Sequence, residues 1–74
     1  MANLVLRTER RRRGWSLTRL SVLTDGISPS DISQIERGRR CAFPGWRHRI
    51  AEAFGMPEEF LFAPVQKPEV VEAA

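Results

Sequence analysis

The segment ISPSDISQIERG, residues 27–38, contains the start and stop signals of one short helix. Ser28 is a suitable N-cap, and Pro29 suits the first helical position. Asp31 follows three residues after the cap, where its carboxylate can accept from the cap amide and faces the positive end of the helix. Gly38 supplies the permissive backbone that ends the helix. The pattern predicts a helix of about three turns, which is too short to be stable without packing against neighbours.

The faces of this helix differ in chemistry. Ile32 and Ile35 lie three residues apart, share one face and are predicted to point into a core. The other faces carry Ser30, Ser33, Gln34 and Arg37. Short uncharged polar side chains also occur on solvated helix surfaces, which is the alternative interpretation. Their place behind a capped N-terminus, with arginines nearby, favours contact with base-pair edges, so the segment is interpreted as a DNA recognition helix.

Charge is distributed unevenly along the chain. Residues 1–50 hold eleven arginines and four acidic residues, which leaves a net charge of +7. Residues 51–74 hold one lysine and five glutamates, which leaves a net charge of −4. Arginine combines bidentate contact to phosphate or guanine with weak hydration. Such a molecule is expected to approach a polyanion with its first half forward, although an acidic protein would also be attracted.

Length and composition indicate one small domain and argue against several function classes. No apolar run reaches the roughly 18 residues of a membrane span, and residues 1–14 lack the apolar stretch of a signal peptide, so a cytoplasmic location without membrane attachment is expected. Cys41 and His48, each the single residue of its type, form neither a disulfide nor a metal set. The sequence lacks a nucleophile–base pair and a glycine-rich phosphate loop, so neither an enzyme nor a cofactor is expected.

The spacing of apolar residues, with glycine and proline as helix boundaries, predicts four further helices over residues 1–13, 17–23, 45–54 and 57–62. Asn3 is expected to cap the first helix and Ser16 the second. The residues predicted to point inward are Leu6, Leu20, Leu23, Trp46, Ile50, Ala53 and Phe54. Thr24, Asp25 and Gly26 are expected to form the turn before the recognition helix, with Gly26 at positive φ.

The arginines at the end of the first predicted helix do not share one face. The unbroken run Arg10 to Arg13 ends the first helix, and residues about 100° apart cannot all face one surface. For Arg11, Arg12 and Arg13, a solvated basic face is therefore the alternative to contact with a binding partner.

Residues 63–74 contain two prolines and no strong period. A domain over 1–62 is therefore expected to be followed by a tail that is mobile or orders on a partner.

Four pieces of the sequence in register resemble the Cro/repressor-like (XRE) helix-turn-helix family. They are Arg10 four residues before Gly14, SLTRL at 16–20, SPSDISQIERGRR at 28–40 and IAEAFGMPEEFLF at 50–62. The resemblance implies an all-α, compact five-helix bundle of the lambda-repressor-like type. It also implies that helices two and three form the DNA-binding unit and that helix five can serve as a dimer surface.

The resemblance also implies roles for particular residues. Base contacts in the major groove would come from Pro29, Ser30, Ser33 and Gln34, of which Gln34 can pair bidentately with adenine. Phosphate contacts would come from Ser16, Thr18, Arg19, Arg37, Arg39 and Arg40, and the first three also cluster at a helix N-terminus, where amides favour phosphate. Arg10 and Glu36 align with a buried ion pair that joins the first helix to the third.

Three positions depart from the family pattern. The turn near Thr24 and Asp25 is one residue longer, which affects the crossing angle of the two helices. Leu17 replaces a polar residue that often contacts phosphate, so that contact is weaker or Leu17 turns towards the protein. Asp31, unless it is used in capping, would repel phosphate or accept a hydrogen bond from a cytosine amine.

The function predicted from these features is that of a sequence-specific regulator of transcription that binds double-stranded DNA, in the manner of a repressor. A homodimer is expected at least on DNA, because one such domain covers about half an operator. The alternative is a protein-binding adaptor or an antitoxin-like regulator that docks on a protein partner through the helix-turn-helix scaffold and residues 63–74. Salt-dependent binding to duplex separates the two hypotheses, since an adaptor would not show it.

Overall fold

Five α-helices make up the fold in the computed structural model, which describes residues 3–65. They are α1 Val5–Arg12, α2 Leu17–Leu23, α3 Pro29–Glu36, α4 Pro44–Phe54 and α5 Glu58–Leu61. Within this range the chain forms no strand, only an isolated antiparallel bridge between Leu4 and Pro64. The all-α, five-helix architecture expected from the sequence is confirmed.

Serine side chains begin α2 and α3 as predicted. The Ser16 hydroxyl accepts a hydrogen bond from the amide of Arg19 at 3.0 Å, and the Ser28 hydroxyl accepts from the amide of Asp31 at 3.1 Å. Each bond satisfies one of the amides that the first turn of a helix leaves without a partner. The start of the helix-turn-helix pair is therefore fixed by local sequence.

The predicted start of α1 is wrong. The helix begins at Val5 rather than near residue 1, and Leu4 replaces Asn3 at the N-cap position without a side-chain cap bond. The Leu4 amide instead donates to the carbonyl oxygen of Glu36 at 2.8 Å, at the end of α3. A backbone hydrogen bond to the end of α3 is therefore present at the N-cap position, where a side-chain cap was expected.

The segment after α5 also pairs with the start of the chain. The Val65 amide donates to the carbonyl oxygen of Asn3 at 2.8 Å, and the Val5 amide donates to that of Ala63 at 2.9 Å. The first three residues of the predicted tail, 63–65, are thus hydrogen-bonded to the helical body. The rest of that prediction, 66–74, lies outside the described residues.

Two other helices differ from their predicted bounds by one or two residues. The helix α4 starts at Pro44 rather than at Gly45, because a proline suits the first helical position. Pro57 and Phe62 flank α5 as its cap residues rather than lying inside it, so α5 is two residues shorter than expected. These shifts leave the helix order unchanged.

The core is one apolar cluster to which every helix contributes. Its buried members are Leu6, Leu20, Ile27, Ile32, Ile35, Ile50, Phe54 and Leu61, with Trp15, Leu17, Trp46 and Ala53 packed against it. Leu23 was expected to point inward, and this is wrong, because its side chain is 39% exposed. The next buried position after Leu20 is Thr24, one helical turn later, and its hydroxyl donates to the Leu20 carbonyl at 2.8 Å.

The turn between α2 and α3 uses two residues with positive φ. Gly26 has φ +98°, as predicted, and Asp25 also adopts φ +64°. Asp25 tolerates this left-handed conformation better than most residues, because its short polar side chain can interact locally. Ile27 then enters the core, so the turn delivers Ser28 to the start of α3.

Candidate nucleic-acid interface

A buried ion pair supports α3 from behind. Glu36, at the last turn of α3, is 2% exposed, and its oxygens accept from Nε of Arg10 at 2.7 Å and from Nη2 at 3.1 Å. The third donor of Arg10, Nη1, bonds the carbonyl oxygen of Trp15 at 2.7 Å. One guanidinium therefore joins α1, the start of the α2 segment and α3 in a single network.

The outer face of α3 presents the residues expected to contact bases. Ser30 and Gln34 are exposed, and Pro29 and Ser33 are half-buried. On the opposite face, Ile32 and Ile35 are almost completely buried. The helix is therefore held by one face while its serine and glutamine edge remains accessible.

The residues expected near phosphate at the start of α2 are exposed. They are Ser16, Thr18 and Arg19. The Ser16 oxygen already accepts from the amide of Arg19, but its hydroxyl proton remains free to donate. Leu17 is half-buried and packs against the core cluster, so it turns towards the protein. Because α2 contacts α3 directly, these groups lie on the helix pair that carries Ser30 and Gln34.

Arg37 and Arg39 follow the last turn of α3 and are both exposed. The amide of Arg39 donates to the Gln34 carbonyl at 2.9 Å, and Gly38 between the two arginines has φ +73°. The backbone at the end of α3 is therefore closed by its own hydrogen bonds, and both guanidiniums project from a defined turn.

Arg40, also expected on phosphate, is engaged within the protein. Its Nη1 donates to the Asp31 carboxylate at 2.9 Å, and its guanidinium lies 5.9 Å from the Phe43 ring centre and 5.6 Å from that of Trp46. The carboxylate of Asp31, expected to bond the cap amide of Ser28, instead pairs with Arg40. Sequence reasoning missed this pair, since opposite charges nine residues apart meet only when the loop after α3 folds back.

Besides Arg10, two further arginines of the basic run at the end of α1 have intramolecular partners. Arg13 donates to the Phe54 carbonyl at 3.1 Å, and its guanidinium lies over the rings of Trp15 and Phe54. Arg12 forms an ion pair with Glu9 at 3.0 Å. The basic run thus contributes partly to packing, which its sequence did not indicate.

The remaining candidate groups lie on the surface. Cys41 is exposed, and Nε2 of His48 lies 3.3 Å from a carboxylate oxygen of Glu52, with both side chains exposed. No group of three or more potential metal ligands occurs in residues 3–65. In the same part of the chain, every helix falls short of the length and apolar character needed to cross a bilayer.

Comparison with models of known protein families gives a match over most of the chain. A family model described as a helix-turn-helix domain matches residues 4–61, which include all five helices. None of the curated proteins compared with the chain matches it.

Proposed function

The chain belongs to the helix-turn-helix domain family, and from that premise we propose that it is a sequence-specific regulator of transcription of the Cro/repressor-like type, acting on double-stranded DNA. The observation that carries the proposal is the exposed serine and glutamine edge of α3, opposite a face buried in the core. A capped helix with such an edge fits the major groove, which is about 12 Å wide.

In this proposal, α3 reads bases through its N-terminal half. Gln34 pairs bidentately with an adenine, and Ser30 accepts from or donates to more than one base. Pro29 and Ser33, both half-buried, make closer apolar and polar contacts at the edge of the same surface. The regulator needs no enzyme chemistry and no cofactor for this readout.

Phosphate contacts would set the register of the domain on the duplex. The residues in this role are Ser16, Thr18, Arg19, Arg37 and Arg39, all of which are exposed. Arg40 reaches a phosphate only by leaving Asp31, with which it forms an ion pair. Phosphate contacts carry no base information, so sequence preference would come from Ser30 and Gln34.

We infer a homodimer on DNA, since one recognition helix reads only a half-site and specificity against a genome requires more contacts. Selection from a random duplex library tests function and symmetry together. An inverted repeat with half-sites one helical turn apart is the expected result. Failure to enrich any sequence would overturn sequence-specific binding.

Salt dependence of duplex binding provides a second test. Each phosphate neutralised by an arginine lowers log K by about 0.9 per unit of log salt concentration. Arg19, Arg37 and Arg39 from both domains of a dimer therefore predict a slope of about −4 to −6. The competing function is that of a protein-binding adaptor or antitoxin-like regulator, and the exposed Val22 and Phe60 side chains favour a protein contact. An adaptor would show a slope near zero and no selected duplex.

A further inference from the structure

A pocket with an exclusively basic and amide lining lies beside the C-terminal end of α3. It has a volume of about 330 Å³ and is lined by Asn3, Arg7, Arg37 and Arg39. These four residues are called the outer arginine pocket below. It joins the segment before α1, α1 itself and the turn after α3. Arg7 belongs to none of the groups that the sequence pattern associates with DNA.

The three arginines of this pocket have no carboxylate partner among residues 3–65. Among residues 3–65, the ion pairs formed by arginine are Arg10–Glu36, Arg12–Glu9, Arg40–Asp31 and Arg47–Glu58. None of these pairs includes an arginine of the outer arginine pocket. Guanidiniums remain charged at physiological pH, so three around one cavity repel one another unless an anion lies between them.

The backbone around the pocket is fixed by hydrogen bonds between distant segments. The Leu4 amide donates to the Glu36 carbonyl at 2.8 Å, which ties the residue after Asn3 to the residue before Arg37. The Asn3 carbonyl accepts from the Val65 amide at 2.8 Å. The pocket therefore exists before any ligand binds, which reduces the entropy lost on binding.

The geometry points to a phosphate group as the ligand, and we propose that the outer arginine pocket binds one. Guanidinium forks match the oxygens of a phosphate bidentately, and the amide of Asn3 adds a neutral donor. The favoured source is the DNA backbone, and in that form the inference rests on the proposed function. A free phosphate ion has the same chemistry and is the second source.

The position of the pocket supports a backbone phosphate. The helix α3 has eight residues and is therefore about 12 Å long. The major groove has a similar width, so a helix that reads bases near its N-terminus has its other end close to the wall of the groove, where phosphates lie. Arg7 would then extend the phosphate contacts beyond Arg37 and Arg39 onto α1.

The DNA arm of the test compares charge-removing variants over a range of salt concentrations. Arg7→Gln should reduce the magnitude of the salt slope by about 0.9 for each bound domain, the value for one phosphate. Arg49→Gln is the matched control, since Arg49 is exposed on α4 and lines a different surface with Asp25 and Glu52. The control should leave the slope unchanged. Arg19→Gln, on α2 and outside the pocket, tests the proposed function itself and should also reduce the magnitude of the slope.

The second arm tests whether the outer arginine pocket binds a free phosphate ion. Inorganic phosphate is added without DNA, at ionic strength matched with chloride, and the melting temperature is measured. A phosphate-specific rise that Arg7→Gln abolishes and Arg49→Gln retains would support the pocket with a free ion as ligand. Without phosphate, Arg7→Gln should melt no lower than the parent chain, because it removes repulsion rather than a bond.

The outcomes separate this inference from the proposed function. If the parent chain binds duplex and Arg19→Gln reduces the slope, but Arg7→Gln has no effect in either arm, the outer arginine pocket is not a phosphate site. If the parent chain does not bind duplex, the proposed function fails. A positive free-phosphate arm would then still support the pocket, and a negative one would overturn it.

Discussion

Glu36 lies in the last turn of α3, and both of its carboxylate oxygens accept hydrogen bonds from Arg10. We expect Glu36→Gln to lower the free energy of unfolding by about 3–5 kcal/mol, because it leaves the charge of Arg10 without its partner. A domain of this size often has only about 5 kcal/mol in total, so the melting temperature should fall by more than about 10 °C. Thermal and urea denaturation measure this change.

Glu52→Gln is the matched control for that experiment. Glu52 is exposed on α4 and pairs only with the exposed His48 among the described residues. The same chemical change should therefore alter stability by no more than about 0.5 kcal/mol. Equal melting temperatures for the two variants would show that the Arg10–Glu36 pair does not hold α3.

Gln34 and Arg39 should differ in how they affect DNA binding. Gln34→Ala is expected to lose about 1–3 kcal/mol on the selected site and little on other sequences, because it removes a base contact. Arg39→Ala should weaken binding to all sequences by a similar factor, because it removes a phosphate contact. Binding titrations on selected and scrambled duplexes distinguish them. Equal losses of both variants on both duplexes would contradict base readout by Gln34.

The Asp31–Arg40 pair predicts a gain of binding. Asp31→Asn should strengthen binding to all duplexes, because it removes a negative charge near the start of α3 and releases Arg40. The salt slope should become steeper by about 0.9 for each bound domain if Arg40 then contacts a phosphate. Arg40→Gln combined with Asp31→Asn should abolish the steeper slope. An unchanged affinity for Asp31→Asn would mean that the pair lies outside the interface.

At the level of single elements, the start of α3 has neighbouring residues with different expected roles, Ser28 in stability and Ser30 in DNA binding. Ser28→Ala should cost about 1 kcal/mol of stability, because the amide of Asp31 loses its cap acceptor. Ser30→Ala changes an exposed residue and should leave stability within about 0.5 kcal/mol while weakening duplex binding. Denaturation and binding measurements on both variants test this division. A loss of stability in Ser30→Ala would show that the Ser30 side chain contributes to the stability of the fold.

The whole molecule is closed by pairing between its N-terminal segment and the residues after α5. A chain that ends at residue 62 lacks the Val5–Ala63 and Asn3–Val65 backbone hydrogen bonds, whereas a chain that ends at residue 65 retains them. At about 0.5–1.5 kcal/mol for each bond, the longer chain should be more stable by about 1–3 kcal/mol. Urea denaturation of the two truncated chains measures the difference. Equal urea midpoints for the two chains would show that these backbone hydrogen bonds do not contribute to the free energy of unfolding.

The basic and acidic halves of the sequence also have a consequence at this scale. The phosphate-directed arginines of the proposed interface lie near both ends of the α2–α3 pair, at Arg19 on one side and at Arg37 and Arg39 on the other. The glutamates of α5 are remote in sequence, and Glu58 is paired with Arg47. Under the proposed function, the arginines would orient the molecule during approach to a duplex, and α3 would determine which sequence is preferred.

Local sequence determined the parts of this protein that depend on neighbours within one helical turn. The caps at Ser16 and Ser28, the buried face of Ile32 and Ile35 and the positive φ of Gly26 follow from residues three or four positions away. Capping hydrogen bonds and side-chain spacing at this range follow from local helix geometry once the helix forms. The order and type of the five helices were therefore predictable.

Tertiary structure decided the features that depend on segments far apart in the chain. The start of α1, the exposure of Leu23, the Asp31–Arg40 pair and the outer arginine pocket around Arg7 each depend on where another segment packs. No periodicity or cap signal encodes such a distance, because contacts of this kind form only when the whole core has closed. The sequence thus specified the helix that is proposed to contact DNA, and packing specified which charges around it form ion pairs among residues 3–65.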